Sequence, residues 1–304
     1  MATDVLGTTE ETLSLGNEVP IAPIRSLMFV LGNALKMSSR EKRSESMKFA
    51  QRVAILGMLV SMSCVAQTPK SDGGPEISLA KLERMPEPLE VRYALSAAPP
   101  HLRDGATTYV LEPSKGYLLM HKGTNGVSCI VVRSDWQWPE RSFRDDIAWP
   151  VCFDAEGSKT LLQDYICTAE LRARGMDAKQ VHLEVTNKFG TKDYPNPART
   201  GVAYMIAPVM RGWTNGTEPV TMNMPHYMFY APGVTDADIG GKPFSFYPFM
   251  LRMSPGRDDV IILLVGETEK AAILSESKDL LADLCSYRNY LCTTAVTRAR
   301  MPNN

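Results

Sequence analysis

The stretch Met47–Ala66, MKFAQRVAILGMLVSMSCVA, determines which part of this chain is expected to fold. Two basic residues, Lys48 and Arg52, precede the apolar run Val53–Met62, and small residues follow up to Ala66. This order of positive, apolar and small residues is typical of a secretory signal peptide. The apolar run is shorter than the roughly 20 residues that a membrane-spanning helix needs. We therefore predict an export signal over residues 47–66.

This prediction divides the rest of the chain. Residues 1–46 are expected to be a disordered upstream extension. Residues 67–76 contain two prolines and two glycines, which indicates a linker. Residues 77–304 are expected to form a single domain. Two alternatives stay open for the apolar stretch, namely a buried helix of a longer domain and an uncleaved membrane anchor.

Charge and composition exclude several classes of protein. The chain has 33 Lys and Arg against 34 Asp and Glu, and no run of basic residues. A protein that binds nucleic acid needs clustered basic residues to neutralise phosphates, so we expect no nucleic-acid partner. No later segment is long and apolar enough to cross a bilayer, so we expect no stable membrane span after signal cleavage.

The cysteines suggest an oxidising compartment. Five follow the predicted cleavage site, and no two of them form a C-x-x-C motif. We predict a disulfide between Cys129 and Cys152, although two unpaired buried thiols would also fit the sequence. Cys285 and Cys292 are two helical turns apart, a rise of about 10 Å, so they pair only if the helix ends between them.

Periodicity predicts strands first, then helices, then strands again. Thr107–Leu111, Tyr117–His121 and Val127–Arg133 read as a three-stranded meander, with an Asn-Gly turn in residues 122–126. A fourth strand is predicted over Ala148–Phe153. Helical spacing follows over Ser158–Arg174.

The second half continues this alternation. A helix capped by Asp177 is followed by the strands Gly201–Pro208 and Val220–Tyr230, the latter broken by Pro225. Asp259–Val265 is the most apolar strand, and a C-terminal helix is expected over residues 268–287. This order predicts an α+β domain whose antiparallel sheet has helices packed on one face.

Several short segments between Pro99 and Gly266 share a distinctive pattern. They are Gly123–Gly126 with Cys129, Pro150–Asp154, Gly201–Pro208, Pro225-His226 leading into Met228–Pro232, and Asp238–Gly241. Together they resemble a group of uncharacterised bacterial secreted proteins. The resemblance implies export from a bacterial cell and a shared fold. It implies no activity and no catalytic residue.

A methionine-rich strand is the first candidate site. Alternate side chains of a strand share one face, which would bring together Met222, Met224, His226, Met228 and Tyr230. Three thioethers and an imidazole suit a soft ion such as Cu(I), so copper is an alternative cofactor to none. The other interpretation is a core face with one hydrogen-bonded histidine, and Pro225 would then separate the two halves.

An acidic loop is the second candidate. Asp236 and Asp238 lie in a glycine-rich segment, and with His226 they would supply the acid and base of a hydrolase. In the other interpretation Thr235 or Asp236 caps a short helical turn and Asp238 is solvated.

Aromatic residues form the third candidate. Trp136, Trp138 and Trp149 lie between the third and fourth strands, and with Tyr230 they would line a ligand surface near the Pro225–Gly241 loop. They would also fit a satellite core under a loop.

The leading expectation is a periplasmic or secreted, non-catalytic module that binds a small molecule or an envelope component. The hydrolase and the copper-binding protein are the alternatives.

Overall fold

Alternating and continuous apolar segments form ten strands in the computed structural model, which describes residues 82–213, 218–242, 247–252 and 257–293. The strands are β1 Thr107–Glu112, β2 Gly116–His121, β3 Ser128–Val132, β4 Trp149–Phe153, β5 Val202–Met205, β6 Met210–Gly212, β7 Val220–Met222, β8 His226–Tyr230, β9 Phe249–Arg252 and β10 Asp259–Leu264. The helices are α1 Glu87–Leu95, α2 Pro100–Arg103, α3 Leu161–Ala173, α4 Ala178–Thr186, α5 Asp236–Ile239, α6 Glu267–Glu276 and α7 Lys278–Tyr287, and a 3-10 helix, Asn289–Leu291, follows.

Eight of these strands form one sheet in the order β2-β1-β3-β4-β5-β8-β10-β9. Each neighbouring pair is antiparallel except β1 and β3, which run parallel. Strands β6 and β7 form a separate ribbon, which a bridge between Ala148 and Arg211 links to the end of β4. The predicted α+β class with an antiparallel sheet is therefore confirmed.

Helices cover both faces of the sheet, whereas the sequence predicted one face only. Ile130 and Val132 of β3 pack in one core cluster with residues of α3 and α4. Cys129 and Val131 point to the opposite face and pack with α1 and α7. Strands β3 and β4 are buried along their whole length, which is why their sequences are continuously apolar and do not alternate.

The first three strands do not form the predicted meander. β2 is an edge strand, and β3 lies on the other side of β1. Residues 122–127, which connect β2 to β3, therefore cross the chain just before β1 begins. The backbone amides of Thr124 and Asn125 both donate to the carbonyl of Gly105, at 2.8 and 3.1 Å. A side chain at Gly123 would collide with the backbone of Gly105 and Ala106. This close crossing, which a hairpin pattern does not reveal, determines the strand order.

Several predicted helix boundaries change in the structure. Residues 82–86 are not helical, and α1 begins after Pro86. The C-terminal helix is divided at Ser277 into α6 and α7. Helix α7 buries Leu280, Leu281 and Leu284, whereas α6 has no buried residue. The predicted extension, signal and linker over residues 1–76 lie outside the described residues.

The predicted pair Cys129 and Cys152 is at disulfide distance, and so are Cys285 and Cys292, whose pairing depended on where the last helix ends. Cys129 and Cys152 are direct cross-strand partners on β3 and β4, with Cα atoms 4.0 Å apart. Cys285 and Cys292 meet because α7 ends at Tyr287, between them, and their Cα atoms are 4.4 Å apart. Among the described residues, no helix has the length and apolarity that a membrane span requires.

Candidate functional site

His226, shared by two of the sequence hypotheses, is a core residue. It begins β8, is 3% exposed, and pairs across the sheet with Met205 and Leu264. Its Nδ1 lies 2.7 Å from the carbonyl oxygen of Met224, which accepts the hydrogen bond. Burial lowers the pKa of the imidazole, and the hydrogen bond to Met224 offsets this only in part. The ring is therefore neutral and is held in a structural role.

The methionine stripe is interrupted at Pro225. Met222 ends β7 in the separate ribbon, where it pairs with Met210, and Met224 lies between the two strands. Of the three methionines only Met228 shares the buried face of β8 with His226, and Tyr230 lies on the same face. The predicted face of three thioethers is thus divided between two sheets, as the alternative interpretation expected.

The two aspartates lie at the far end of β8 from the histidine. Four residue steps of strand separate His226 from Tyr230, roughly 13 Å, and α5 follows Tyr230. Asp236 Oδ1 accepts a hydrogen bond from the amide of Met250 at 2.8 Å. Asp238 Oδ2 accepts from the amide and hydroxyl of Thr235, which lowers the pKa of this carboxyl. Both carboxylates stabilise local backbone, and the structure does not bring either to His226.

Three of the four aromatic candidates are core residues. Trp136 is 1% exposed and packs edge-on against Phe189, with ring centroids 5.2 Å apart. Trp149 packs edge-on against Tyr165 at 5.5 Å. Tyr230 is 1% exposed, and its hydroxyl donates to Asp154 at 3.3 Å. For these residues the structure supports the core interpretation.

Trp138 differs, because it lines a surface pocket. The pocket is shallow and has room for about one water molecule, and its 220 Å³ of empty space includes open solvent. Its walls come from the long connection between β3 and β4 and from Trp213, which directly follows β6. Among the described residues, those that line it are Arg133, Ser134, Asp135, Trp138, Arg141, Ser142, Phe143, Arg144, Ile147 and Trp213. The ribbon β6–β7 thus brings a distant tryptophan to the loop that the sequence singled out.

The guanidinium of Arg141 lies between two indole rings. Its Cζ is 4.3 Å from the ring centroid of Trp138 and 4.5 Å from that of Trp213. Both distances are within the range of a cation–π interaction. Because this stack joins residues 75 positions apart in sequence, it holds the pocket walls at a defined separation.

Asp135 supplies the only carboxylate among the lining residues that the structure describes. Its Oδ1 accepts from the amide of Gln137 and its Oδ2 from the indole nitrogen of Trp138, both at 3.0 Å. Burial raises the pKa of this carboxyl to about 6, although the two hydrogen bonds and the charge of Arg141 act in the opposite direction. The carboxyl therefore changes its charge close to neutral pH.

A charge network anchors the outer wall of the pocket. Asp146 accepts from Arg144 at 2.7 Å and from Arg211 on β6 at 2.6 Å. Burial alone would raise the pKa of Asp146, but the hydrogen bonds from these two arginines lower it to about 2. Arg144 also reaches Glu218, at 3.0 Å. This network fixes the ribbon, and with it Trp213, against the β3–β4 connection.

Arg133 forms the floor of the pocket and is 1% exposed. Its Nε donates to the carbonyl of Ile147 at 2.8 Å, and one terminal nitrogen donates to the carbonyl of Asp145 at 2.9 Å. In the part of the chain that the structure describes, no carboxylate forms an ion pair with Arg133. A positive charge therefore lies beneath the pocket.

A second buried charge cluster lies away from these lining residues. Arg257 is 3% exposed and makes two hydrogen bonds of 3.1 Å to Asp164 on α3. It also donates to the carbonyls of Tyr194 and Pro195. Its role is to fix the loop after α4 against α3.

Sequence reasoning found part of the pocket and missed the rest. The Trp136-Gln-Trp138 segment was singled out for its aromatic residues, and Trp138 does line the pocket. The sequence analysis missed Trp213, Asp135 and the arginines. No residue close to them in sequence indicates that β6 lies against the β3–β4 connection. The clustering of Arg133, Arg141 and Arg144 around two tryptophans was the signal that could have found them.

The arrangement provides cationic, aromatic and hydroxyl surfaces around a small opening, with one carboxylate that titrates near neutral pH. Such a set suits reversible binding of a small molecule. Comparison of the chain with protein-family models, with curated proteins and with solved structures finds no match.

Proposed function

We propose that the domain is an exported, non-catalytic module that binds a small molecule at the surface around Trp138 and Trp213. The alternatives built on His226 gain nothing from the geometry, because the histidine is buried and neutral and lies apart from Asp236 and Asp238. The copper hypothesis gains no support either, because its methionine ligands lie on different strands, with Met222 on β7 and Met228 on β8.

The observation that carries the proposal is the stack of Arg141 between two tryptophans at the mouth of a pocket. Tryptophan and arginine are enriched at surfaces that bind partners, which favours a binding role for this stack. Both tryptophans are only partly buried.

Export is supported by two independent features. The Met47–Ala66 stretch has the order of a signal peptide. Two cysteine pairs of the domain are at disulfide distance, which is typical of proteins in oxidising compartments. The near-zero net charge favours a small-molecule or envelope ligand over nucleic acid. The resemblance to bacterial secreted proteins agrees with a periplasmic or secreted location.

A ligand screen on residues 67–304 tests the proposal. Binding of small metabolites and envelope fragments would be followed by tryptophan fluorescence and by thermal shift, because a ligand that binds only the folded state raises the melting temperature. We expect a hit that is lost in Trp213→Ala and weakened in Arg141→Lys, since lysine keeps the charge but cannot stack in the same way.

The matched control is Leu119→Ala, which changes an exposed apolar residue on the edge strand β2. It should bind as the wild type does. Hits that survive Trp213→Ala unchanged would place the binding surface elsewhere and contradict the proposal.

A further inference from the structure

The large sheet has two outer strands, β2 and β9, whose open edges differ. An outer strand carries a row of backbone amides and carbonyls that have no neighbouring strand, so a further strand can pair with them. We propose that β2 is an interaction surface for a second copy of this chain, which pairs its own β2 antiparallel to the first. This inference does not depend on the proposed binding of a small molecule.

The open side of β2 is apolar. The strand Gly116–His121 reads Gly-Tyr-Leu-Leu-Met-His and contains no proline, lysine, arginine or acidic residue. Leu119 is 54% exposed and Met120 is 38% exposed. Within the described ranges, β2 pairs with β1, and no other segment forms backbone hydrogen bonds with it. An edge with these properties favours pairing with a further strand.

The outer edge of β9 is protected, which makes the contrast with β2 informative. Helix α5 lies beside β9, and Asp236 accepts the hydrogen bond of the Met250 amide at 2.8 Å. A side chain at Gly241 would lie 3.0 Å from the carbonyl oxygen of Pro248, so the chain after α5 packs against this edge. Pro248 and Arg252 flank or end the strand, and proline and charged residues commonly protect sheet edges. The residues of β2 include no such protection.

The sequence of β2 is complementary to itself. When a two-fold axis relates two antiparallel strands, residues that lie opposite each other belong to the same face of the sheet. An axis at Leu118 places the two Leu118 side chains opposite each other, and it places Tyr117 opposite Leu119 of the second copy. These pairs are apolar or aromatic, which is the kind of cross-strand pair that stabilises a sheet. A second copy therefore supplies a strand that matches the first.

This alignment also uses the regular part of the strand. The register between β1 and β2 shifts at Met120, whereas the residues from Gly116 to Leu119 pair with β1 without interruption. A bulge disrupts pairing where it occurs. An axis at Leu118 keeps the centre of the contact within the uninterrupted part.

The charges near β2 are compatible with this arrangement. Lys115 and Lys122 flank the strand. With the axis at Leu118, Lys115 lies opposite His121 of the second copy and Lys122 lies opposite Ser114, so no lysine faces another lysine. The chain has a formal net charge of −1, so two copies experience little overall repulsion.

The size of the contact determines its strength. One pair of six-residue strands buries much less surface than the roughly 1,600 Å² of a standard protein–protein interface. We therefore expect a weak dimer that forms as the protein concentration rises and dissociates on dilution.

Sedimentation velocity tests the dimer from about 1 to about 200 µM protein, the range in which a weak interface assembles. The sedimentation coefficient of the wild type should rise with concentration toward that of a dimer. Leu119→Lys should weaken dimerisation about tenfold, because lysine opposes edge pairing and the two-fold axis introduces it twice. The matched control is Leu183→Lys, which changes a leucine of α4 that is 58% exposed, and it should dimerise as the wild type does.

Hydrogen exchange locates the contact. Alternate amides of β2 point to its open side and are expected to exchange rapidly in the monomer. In the wild type their exchange should become slower as the protein concentration rises, whereas in Leu119→Lys it should not change. The amides of β9 should exchange at the same rate at every concentration.

Three results would overturn the inference. They are a monomer at every concentration, a dimer that Leu119→Lys and Leu183→Lys weaken equally, and exchange of the β2 amides that does not depend on concentration. None of these results bears on the proposed binding of a small molecule, because Leu119 is not among the residues that line the pocket.

Discussion

Replacing Glu90 with glutamine should change how the stability of the domain depends on pH. Glu90 lies on α1, is 0% exposed, and accepts a hydrogen bond from the amide of Leu111 at 2.8 Å through Oε1. Its other carboxyl oxygen is buried without a hydrogen-bond partner. Burial raises the pKa of Glu90 from 4.5 to about 7, against the hydrogen bond from Leu111 and the charges of Arg133 and Arg84.

The sign of the effect follows from the pH at which Glu90 loses its proton in the folded chain and in the unfolded chain. Below about pH 4 the carboxyl is protonated in both folded and unfolded chains, so it contributes no pH dependence. Between 4.5 and 7 the unfolded chain ionises while Glu90 in the folded chain keeps its proton, so stability falls as pH rises, and it levels off above 7. A pKa of about 7 against 4.5 corresponds to a loss of about 3 kcal/mol, because a tenfold change in proton affinity is worth about 1.4 kcal/mol.

Urea unfolding of the wild type and of Glu90→Gln, followed by tryptophan fluorescence from pH 4 to pH 8 with disulfides intact, measures this term. The amide stays neutral, so the free energy of unfolding of the variant should gain about 3 kcal/mol on the wild type between these limits. Glu87→Gln, an exposed change on the same helix, should show no such gain. A difference between Glu90→Gln and wild type that stays constant across the pH range would refute the reasoning.

Three further changes test other parts of the fold by urea unfolding. Removing the Cys129–Cys152 pair by double alanine substitution should cost about 3.5 kcal/mol, from the loop entropy of a 23-residue separation, and an unchanged midpoint would show that no bond forms. Arg257→Met should cost about 3 to 5 kcal/mol because it leaves a buried carboxylate unpaired, and a loss below 1 kcal/mol would contradict a buried ion pair. Gly157→Ala should cost about 1 to 3 kcal/mol because the added methyl group meets the Tyr230 hydroxyl. Tyr230→Phe should recover part of that loss, and strict additivity of the two changes would exclude the clash.

Local sequence signals predicted the elements better than their arrangement. The continuous apolar run at Asp259–Val265 became β10, and the capping pattern at Asp177 became a capping box that starts α4. Pro225 separated β7 from β8, as a residue without an amide donor should. These outcomes depend on hydrogen bonds and burial within a few residues.

The strand order and the pocket depend on contacts that no short window contains. The crossing of Gly123 against Gly105 places β3 beside β1, where the Asn-Gly signal predicted a hairpin with β2. The pocket requires Trp213 to reach Trp138, and Arg211 on β6 holds it there through hydrogen bonds to Asp146 and a backbone bridge to Ala148. These contacts between distant residues form only in the assembled sheet. A single sequence therefore shows which residues are suited to a site but not which of them come into contact.

The crossing of residues 122–127 below β1 has a consequence for the order of assembly. β1 and β2 are adjacent in sequence and can pair as soon as both have been synthesised. The sheet can grow toward β4 only after the following segment has passed under the open end of that hairpin. We therefore expect β1 and β2 to form a self-contained first unit, and the bond between Cys129 and Cys152 to close only on a chain that has already been threaded correctly.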